Sequence, residues 1–282
     1  MSDGIVPPTA IGDLATVESA PRSEIIEVAG GAYTWQQSEE ALSPSLWKNR
    51  EEPAFELKFQ LDPAKAELIG EWACEHLTPD PHCLPELGHA YFVHGLYFDT
   101  PAFDVYQRSP RYKRKKYRLR RYGDNDMIFL EQKRKKNGKV AKRRVLVAET
   151  DLERLHADLD PQWEGHWFHR RLAARELVPS CLISYRRQAF FGNNAEGPLR
   201  LTLDRDLRGQ VAQQLKVEPV IAGMQMLPGS VLLEMKYRKN MPALFRSLML
   251  DFGLNPSTVS KYRHALEVLG RAPIGGGSSD GV

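Results

Sequence analysis

Charged and apolar residues alternate strictly in several separate segments of this chain. A β-strand is the regular structure that turns a period of two into two distinct faces. In Phe55-Glu56-Leu57-Lys58-Phe59-Gln60-Leu61, Glu56, Lys58 and Gln60 share one face, and Phe55, Leu57, Phe59 and Leu61 share the other. The Glu-x-Lys unit of that segment recurs at Glu131-Gln132-Lys133 and Glu234-Met235-Lys236, and Arg118-Leu119-Arg120 is a wholly cationic version. Each Glu therefore lies beside its Lys on one surface, and the Leu, Gln or Met points away.

The same sorting extends along the chain. Arg114, Lys116, Arg118 and Arg120 align, as do Glu131, Lys133 and Lys135, and Lys142 with Arg144. Arg200, Thr202 and Asp204 oppose Leu199, Leu201 and Leu203. Glu234 and Lys236 oppose Val231, Leu233, Met235 and Tyr237. For one strand, a wet face and a dry face of an antiparallel sheet would suffice. Over five or six strands that reading weakens, because the polar face is nearly all Arg, Lys and Glu. Like charges on neighbouring strands repel. A multivalent anion would neutralise them. The expectation is a concave sheet that offers cations to phosphates and carboxylates to a divalent metal.

Turn and cap signals organise these strands. Asp62-Pro63 opens a helix to about His76, with Asp as N-cap and Pro in the first turn. Strands are expected at Val93–Asp99, Lys113–Tyr122, Met127–Lys136 and Val140–Ala148. Asn137-Gly138 is a strong hairpin signal between the last two. A helical stretch from Asp151 to about Leu177 breaks near Pro161. Strands Leu182–Phe191 and Leu199–Leu207 flank Gly192-Asn193-Asn194, Val231–Tyr237 follows, and helices close the region near Met241–Leu250 and Ser260–Gly270. The fold class is α+β, mainly β: an eight-stranded antiparallel barrel, closed or nearly so, with helices packed outside. Residues 1–50 read as a flexible or loosely attached arm, 51–270 as one domain, and 271–282 as a flexible tail.

Composition narrows the function classes. A hydrophobic content of 42% is ordinary for a globular chain, and no apolar run approaches a bilayer span. Without a signal-peptide pattern and with three unspaced cysteines, Cys74, Cys83 and Cys181, a reducing cytoplasm is the expected location. Net charge is only +3, yet Arg108 to Arg144 holds seventeen Lys or Arg against three Asp or Glu. Tyr117, Leu119, Phe129 and Leu130 interleave with those charges, which argues against a disordered tail. Acidic residues inside the cationic rows would repel a nucleic-acid backbone, so nucleic acid is not the expected partner. The chain has no Gly-Lys-Ser/Thr phosphate loop and no histidines at metal-ligand spacing.

Certain motifs carry a resemblance. Leu96-Tyr97-Phe98-Asp99-Thr100-Pro101, Lys116-Tyr117-Arg118-Leu119-Arg120-Arg121-Tyr122-Gly123, Phe129-Leu130-Glu131-Gln132-Lys133 and Lys142-Arg143-Arg144 look like the VTC domain. That is the polyphosphate polymerase domain of vacuolar transporter chaperone complexes and their bacterial relatives. Tyr185-Arg186-Arg187-Gln188-Ala189-Phe190, Leu199-Arg200-Leu201-Thr202-Leu203-Asp204, Leu233-Glu234-Met235-Lys236 and Ser260-Lys261-Tyr262 continue the likeness over about residues 52 to 270. The resemblance implies the triphosphate tunnel barrel of the CYTH-like superfamily. It also implies an enzyme dependent on Mn2+ or Mg2+ that moves the terminal phosphoryl of ATP onto inorganic polyphosphate. Carried over by motif, Lys58, Arg118, Arg120, Lys133, Lys142, Arg187, Arg200 and Lys261 would bind phosphates. Arg118, Arg120, Lys133, Arg187 and Arg200 would take those of the nucleotide. Glu234 would hold the metal, with Glu131 or Glu56 as auxiliary carboxylate.

The likeness has departures. Thr258 stands where the family often has a lysine. The arm is too short for the family's helical phosphate-sensing domain, and membrane coupling would come only through partners. A triphosphatase and a non-catalytic polyphosphate-binding module are the other readings the same residues allow.

Overall fold

A computed structural model describes Met1, residues 50–195 and residues 197–273. The expected arm, apart from Met1 and Arg50, and the tail beyond Pro273 lie outside the described residues. In chain order the elements are β1 (Arg50–Leu61), α1 (Pro63–His76), β2 (Thr78–Pro79), β3 (Tyr91–Asp99), α2 (Asp104–Gln107), β4 (Lys115–Tyr122), β5 (Met127–Lys136) and β6 (Lys139–Ala148). There follow α3 (His166–Ala173), β7 (Val178–Asn194), β8 (Gly197–Val211), β9 (Met224–Gln225), β10 (Val231–Tyr237), α4 (Ala243–Asp251) and α5 (Lys261–Val268).

Neighbouring strands run in the order β7-β3-β4-β5-β6-β1-β10-β8, and β8 pairs back onto β7. The result is a closed, antiparallel, eight-stranded barrel, with β2 and β9 as short additions to β7 and β8. Closure removes free sheet edges and gives the sheet an inside. Asn137 and Gly138, with φ of 49° and 76°, turn β5 into β6 as the Asn-Gly signal requires. A Cβ on Gly138 would also press within 3.3 Å of the Phe55 ring.

Three expected elements differ. Gly192, Asn193 and Asn194 do not separate two strands but continue β7, opposite Leu199, Pro198 and Gly197 of β8. Arg114 does not join β4. Lys113 N–H donates to Ser109 O within a turn, and Arg114 takes a left-handed φ of 61°. Its exposed side chain leaves the row of Lys116, Arg118 and Arg120. The stretch from Asp151 becomes a 3-10 turn, Glu149–Leu155, and then α3. Pro161 disfavours helix at Asp160, whose carboxylate instead accepts Gln162 N–H in a turn.

The dry side of this barrel is its outside. Leu96, Leu119, Leu130 and Leu182 point outward and pack with Phe168 and Leu172 of α3 and with Ala265 and Leu266 of α5. Phe59, Leu201, Leu203, Leu233 and Met235 pack with Ile69 and Ala73 of α1 and with Phe245 and Leu248 of α4. Helices thus supply the burial that a polar interior cannot. The Asp62 carboxylate caps α1 by accepting Lys65 N–H, and Ser260 Oγ caps α5 by accepting Arg263 N–H.

A buried histidine makes the fold acid-sensitive. His94 Nδ1 lies 2.7 Å from Ser184 Oγ, which also accepts Val220 N–H. Burial, reinforced by the nearby Arg121 charge, lowers the His94 pKa below its ordinary 6.5. Below that value the unfolded chain binds a proton that the folded chain resists, so stability falls as pH drops. His94→Gln is expected to flatten the decline in urea midpoint between about pH 7 and 5. An unchanged slope would remove His94 from the account.

Candidate functional site

Every strand of the closed barrel contributes to its interior, because residues two apart project inward together. They enclose a narrow cavity of about 100 Å³. Ten Lys and Arg side chains line it against three glutamates. All eight cations singled out from the sequence are among them: Lys58, Arg118, Arg120, Lys133, Lys142, Arg187, Arg200 and Lys261. Lys116 and Lys236 complete the ten, and Glu52, Glu56 and Glu234 are the glutamates.

Pairing between strands sets which charges meet. On β1 and β10, Glu56 lies opposite Lys236, and Lys58 opposite Glu234. The two Glu-x-Lys units therefore run head to tail and interlock. Lys58 Nζ is 3.2 Å from Glu234 and 3.5 Å from Glu56; Lys236 Nζ is 3.6 Å and 3.8 Å from the same pair. Lys133 adds a 3.2 Å contact to Glu56. Burial opposes charge on both carboxyls, but the surrounding cations more than offset it. Lys133 and Lys236 hold Glu56 far below the usual carboxylate range, and Lys261 and Lys58 do the same for Glu234. Burial also pulls Lys236 down to about 7, with Glu56 and Glu234 opposing and Lys133 adding to the fall.

Lys261 enters from outside the sheet. It is the first residue of α5, and its ammonium reaches Asp204 at 2.6 Å and Glu234 at 2.9 Å. The next residue, Tyr262, donates its hydroxyl to the buried Asp99 carboxylate at 2.5 Å. Asp99 also accepts the N–H groups of Thr100, Val105 and Tyr106, so α5 is tied to the end of β3. Tyr262 stacks on Tyr97, whose hydroxyl accepts from Arg118. The Leu96–Pro101 motif thus places one tyrosine inside the barrel and one anchor outside it.

Arg187 is fixed by a bidentate pair with Asp204, at 2.6 and 2.8 Å. Its guanidinium and the Lys261 ammonium both lie over the Tyr185 ring. Arg120 Nε and Arg200 Nε are buried donors with no hydrogen-bond partner among the described residues. Such donors in a narrow cavity suit an anion with several oxygens.

The two carboxylates expected at a metal separate here. Glu234 lines the cavity. Glu131 is 0% exposed, clasped by Arg118 Nε at 2.6 Å with Lys142 at 3.5 Å, and does not line it. Glu56 is the carboxylate that shares lysines with Glu234. No group of three His, Cys, Asp or Glu side chains suited to a metal occurs among the described residues. Glu56 and Glu234 are hard oxygen donors of the kind Mg2+ or Mn2+ accepts, and Lys58 and Lys236 contact both. Asp204, Tyr97 and Tyr185 are site residues that motif reading left without a role. Asp204 was legible by parity with Arg200; the inward tyrosines carry no such signal.

The family model of the VTC domain matches residues 54–270. No curated protein matches the chain. Among solved structures, a Bacillus halodurans protein described as a candidate adenylate cyclase has 13% identity and a TM-score of 0.47, over 75% of this chain and 95% of that one. A Hippeastrum protein described as a candidate adenylyl cyclase with dominant triphosphatase activity has 18% identity and a TM-score of 0.44, over 79% and 98%. A Pyrococcus horikoshii protein has 13% identity and a TM-score of 0.45, over 76% and 98%.

Crowded cations in a closed cavity make the empty barrel less stable than the filled one. Tripolyphosphate at about one hundred times its Kd is expected to stabilise the fold by about 2.7 kcal/mol, a rise of roughly 5–10 °C in melting temperature. Chloride at matched ionic strength should do far less, and short duplex DNA less than tripolyphosphate. A larger shift with DNA would contradict a cavity built for one phosphate chain.

Proposed function

This chain belongs to the VTC domain family, and we propose that it is a polyphosphate polymerase that transfers the terminal phosphoryl of ATP onto inorganic polyphosphate. The observation that carries this reading is the cavity lined by ten cations, with a buried Nε donor at Arg200 that has no hydrogen-bond partner among the described residues. Phosphoryl transfer asks mainly for alignment and charge neutralisation. Arg120, Arg187 and Arg200 bind triphosphate oxygens through planar forks, while Lys58, Lys133, Lys142 and Lys261 supply point charges. Arg118 works through Glu131 and Tyr97, holding the wall on which Arg120 stands.

In the reaction an oxygen of the terminal phosphate of polyphosphate forms a bond to the γ-phosphorus of ATP. The bond from that phosphorus to the β–γ bridging oxygen breaks, and ADP leaves with the electron pair. A terminal phosphate is already ionised, so it needs no general base. That suits Glu56 and Glu234, which surrounding cations hold ionised and therefore weakly basic. Glu234 and Glu56 would hold Mn2+ or Mg2+, which supplies charge neutralisation at the phosphate oxygens when bound.

Incubation with ATP and either metal decides the reading. Long polymer with ADP is the expected product. Free phosphate alone would make the protein a triphosphatase, and no turnover would make it a polyphosphate-binding module. Glu234→Gln should retain the far-UV spectrum and lose at least roughly a hundredfold of metal-dependent turnover. Full activity of that variant across a metal titration would remove Glu234 from the metal site.

A further inference from the structure

The wall that lines the cavity carries a second set of charges on its other face. Lys116 and Lys133 point inward as opposite residues of β4 and β5. Their neighbours Lys115 and Arg134 are also opposite each other and point outward. Lys115 Nζ donates to Arg111 O at 2.7 Å, and Arg111 reaches Ala174 O at the end of α3. Arg175 is fastened beside them, its carbonyl accepting the Tyr112 hydroxyl. Like charges placed directly across two strands are destabilising.

Several arginines elsewhere on the surface have acidic partners, although exposed Arg114, Arg170 and Arg246 pair with no carboxylate among the described residues. Arg154 pairs with Asp151 and Asp160, Arg186 with Asp206, Arg205 with Glu67 and Arg238 with Glu52. Among the described residues, no carboxylate pairs with Arg111, Lys115, Arg134 or Arg175. The Nε of Arg175 is a buried donor without a hydrogen-bond partner. Partial burial, together with Arg175, Arg134 and Arg111, pulls the Lys115 ammonium below its ordinary range. Arg111 and Lys115 are held by backbone carbonyls, Lys115 and Arg134 face each other across two strands, and none of the four has a counter-charge among the described residues.

We propose that Arg111, Lys115, Arg134 and Arg175 form a second anion site, outside the barrel, that takes a condensed phosphate. Closely spaced cations match an anion whose charges are equally close. The surrounding aromatics do not offer a base-stacking platform. Tyr112 and Tyr117 are buried, and Trp167 is covered by the guanidinium groups of Arg143 and Arg171. That separates this surface from those that bind single-stranded nucleic acid through exposed rings. The site stands independently of what the cavity catalyses.

Calorimetric titration of the full chain with tripolyphosphate tests the proposal. The wild type should show two classes of site. Lys115→Gln with Arg134→Gln should weaken one class by about tenfold or more and leave the other intact. Arg200→Gln should do the reverse, so a failure of the cavity reading is distinguishable from a failure of this one. A single class in the wild type, or two classes unmoved by the Lys115/Arg134 double variant, would overturn the external site. Displacement of tripolyphosphate from the external class by short duplex DNA at matched ionic strength would overturn its ligand class.

Discussion

The interlocked pairs of β1 and β10 are the constraint on which the rest of the interior depends. A closed barrel cannot turn its inner face to bulk water, so the charges inside must neutralise each other or a ligand. Lys58 and Lys236 each reach both Glu56 and Glu234, and Lys261 reaches Glu234 and Asp204. These contacts make an empty lumen tolerable without filling it with apolar side chains. Because the cations still outnumber the carboxylates, the neutralisation is incomplete, and a phosphate chain can supply what is missing.

The polar interior has a consequence for stability. An ordinary barrel of this size buries its apolar residues within; here they face outward, and α1, α3, α4 and α5 cover them. The helices are therefore structural to the strands and also functional through one point of entry. Leu266 of α5 packs into the outer core, while Lys261 and Tyr262 at the start of the same helix reach the lumen. The Asp99 carboxylate, held by three N–H groups and the Tyr262 hydroxyl, couples those two roles. Arg118 and Glu131 repeat the pattern in the wall: the enclosed Glu131 holds an arginine that lines the cavity.

Much of this was written in the chain. The period of two assigned inward and outward residues for Glu56, Lys58, Arg118, Arg120, Lys133, Arg200, Glu234 and Lys236, because the pleat leaves no other choice once a strand forms. The Asn137-Gly138 turn, the Asp62 cap and the break at Pro161 were legible for the same local reason. What parity cannot give is adjacency. That β1 lies between β6 and β10, so that Glu56 meets Lys236 and Lys58 meets Glu234, follows from pairing far apart in sequence. Whether a carboxylate lines the cavity or is sealed behind it also needed the neighbours: Glu131 and Glu234 open separate copies of the Glu-x-Lys unit, but Arg118 encloses one and not the other. Arg114 left its row because a left-handed turn precedes β4. Local chemistry determined which faces were charged, and only closure of the sheet decided which charges meet, since Coulombic contact depends on distances that strand order alone sets.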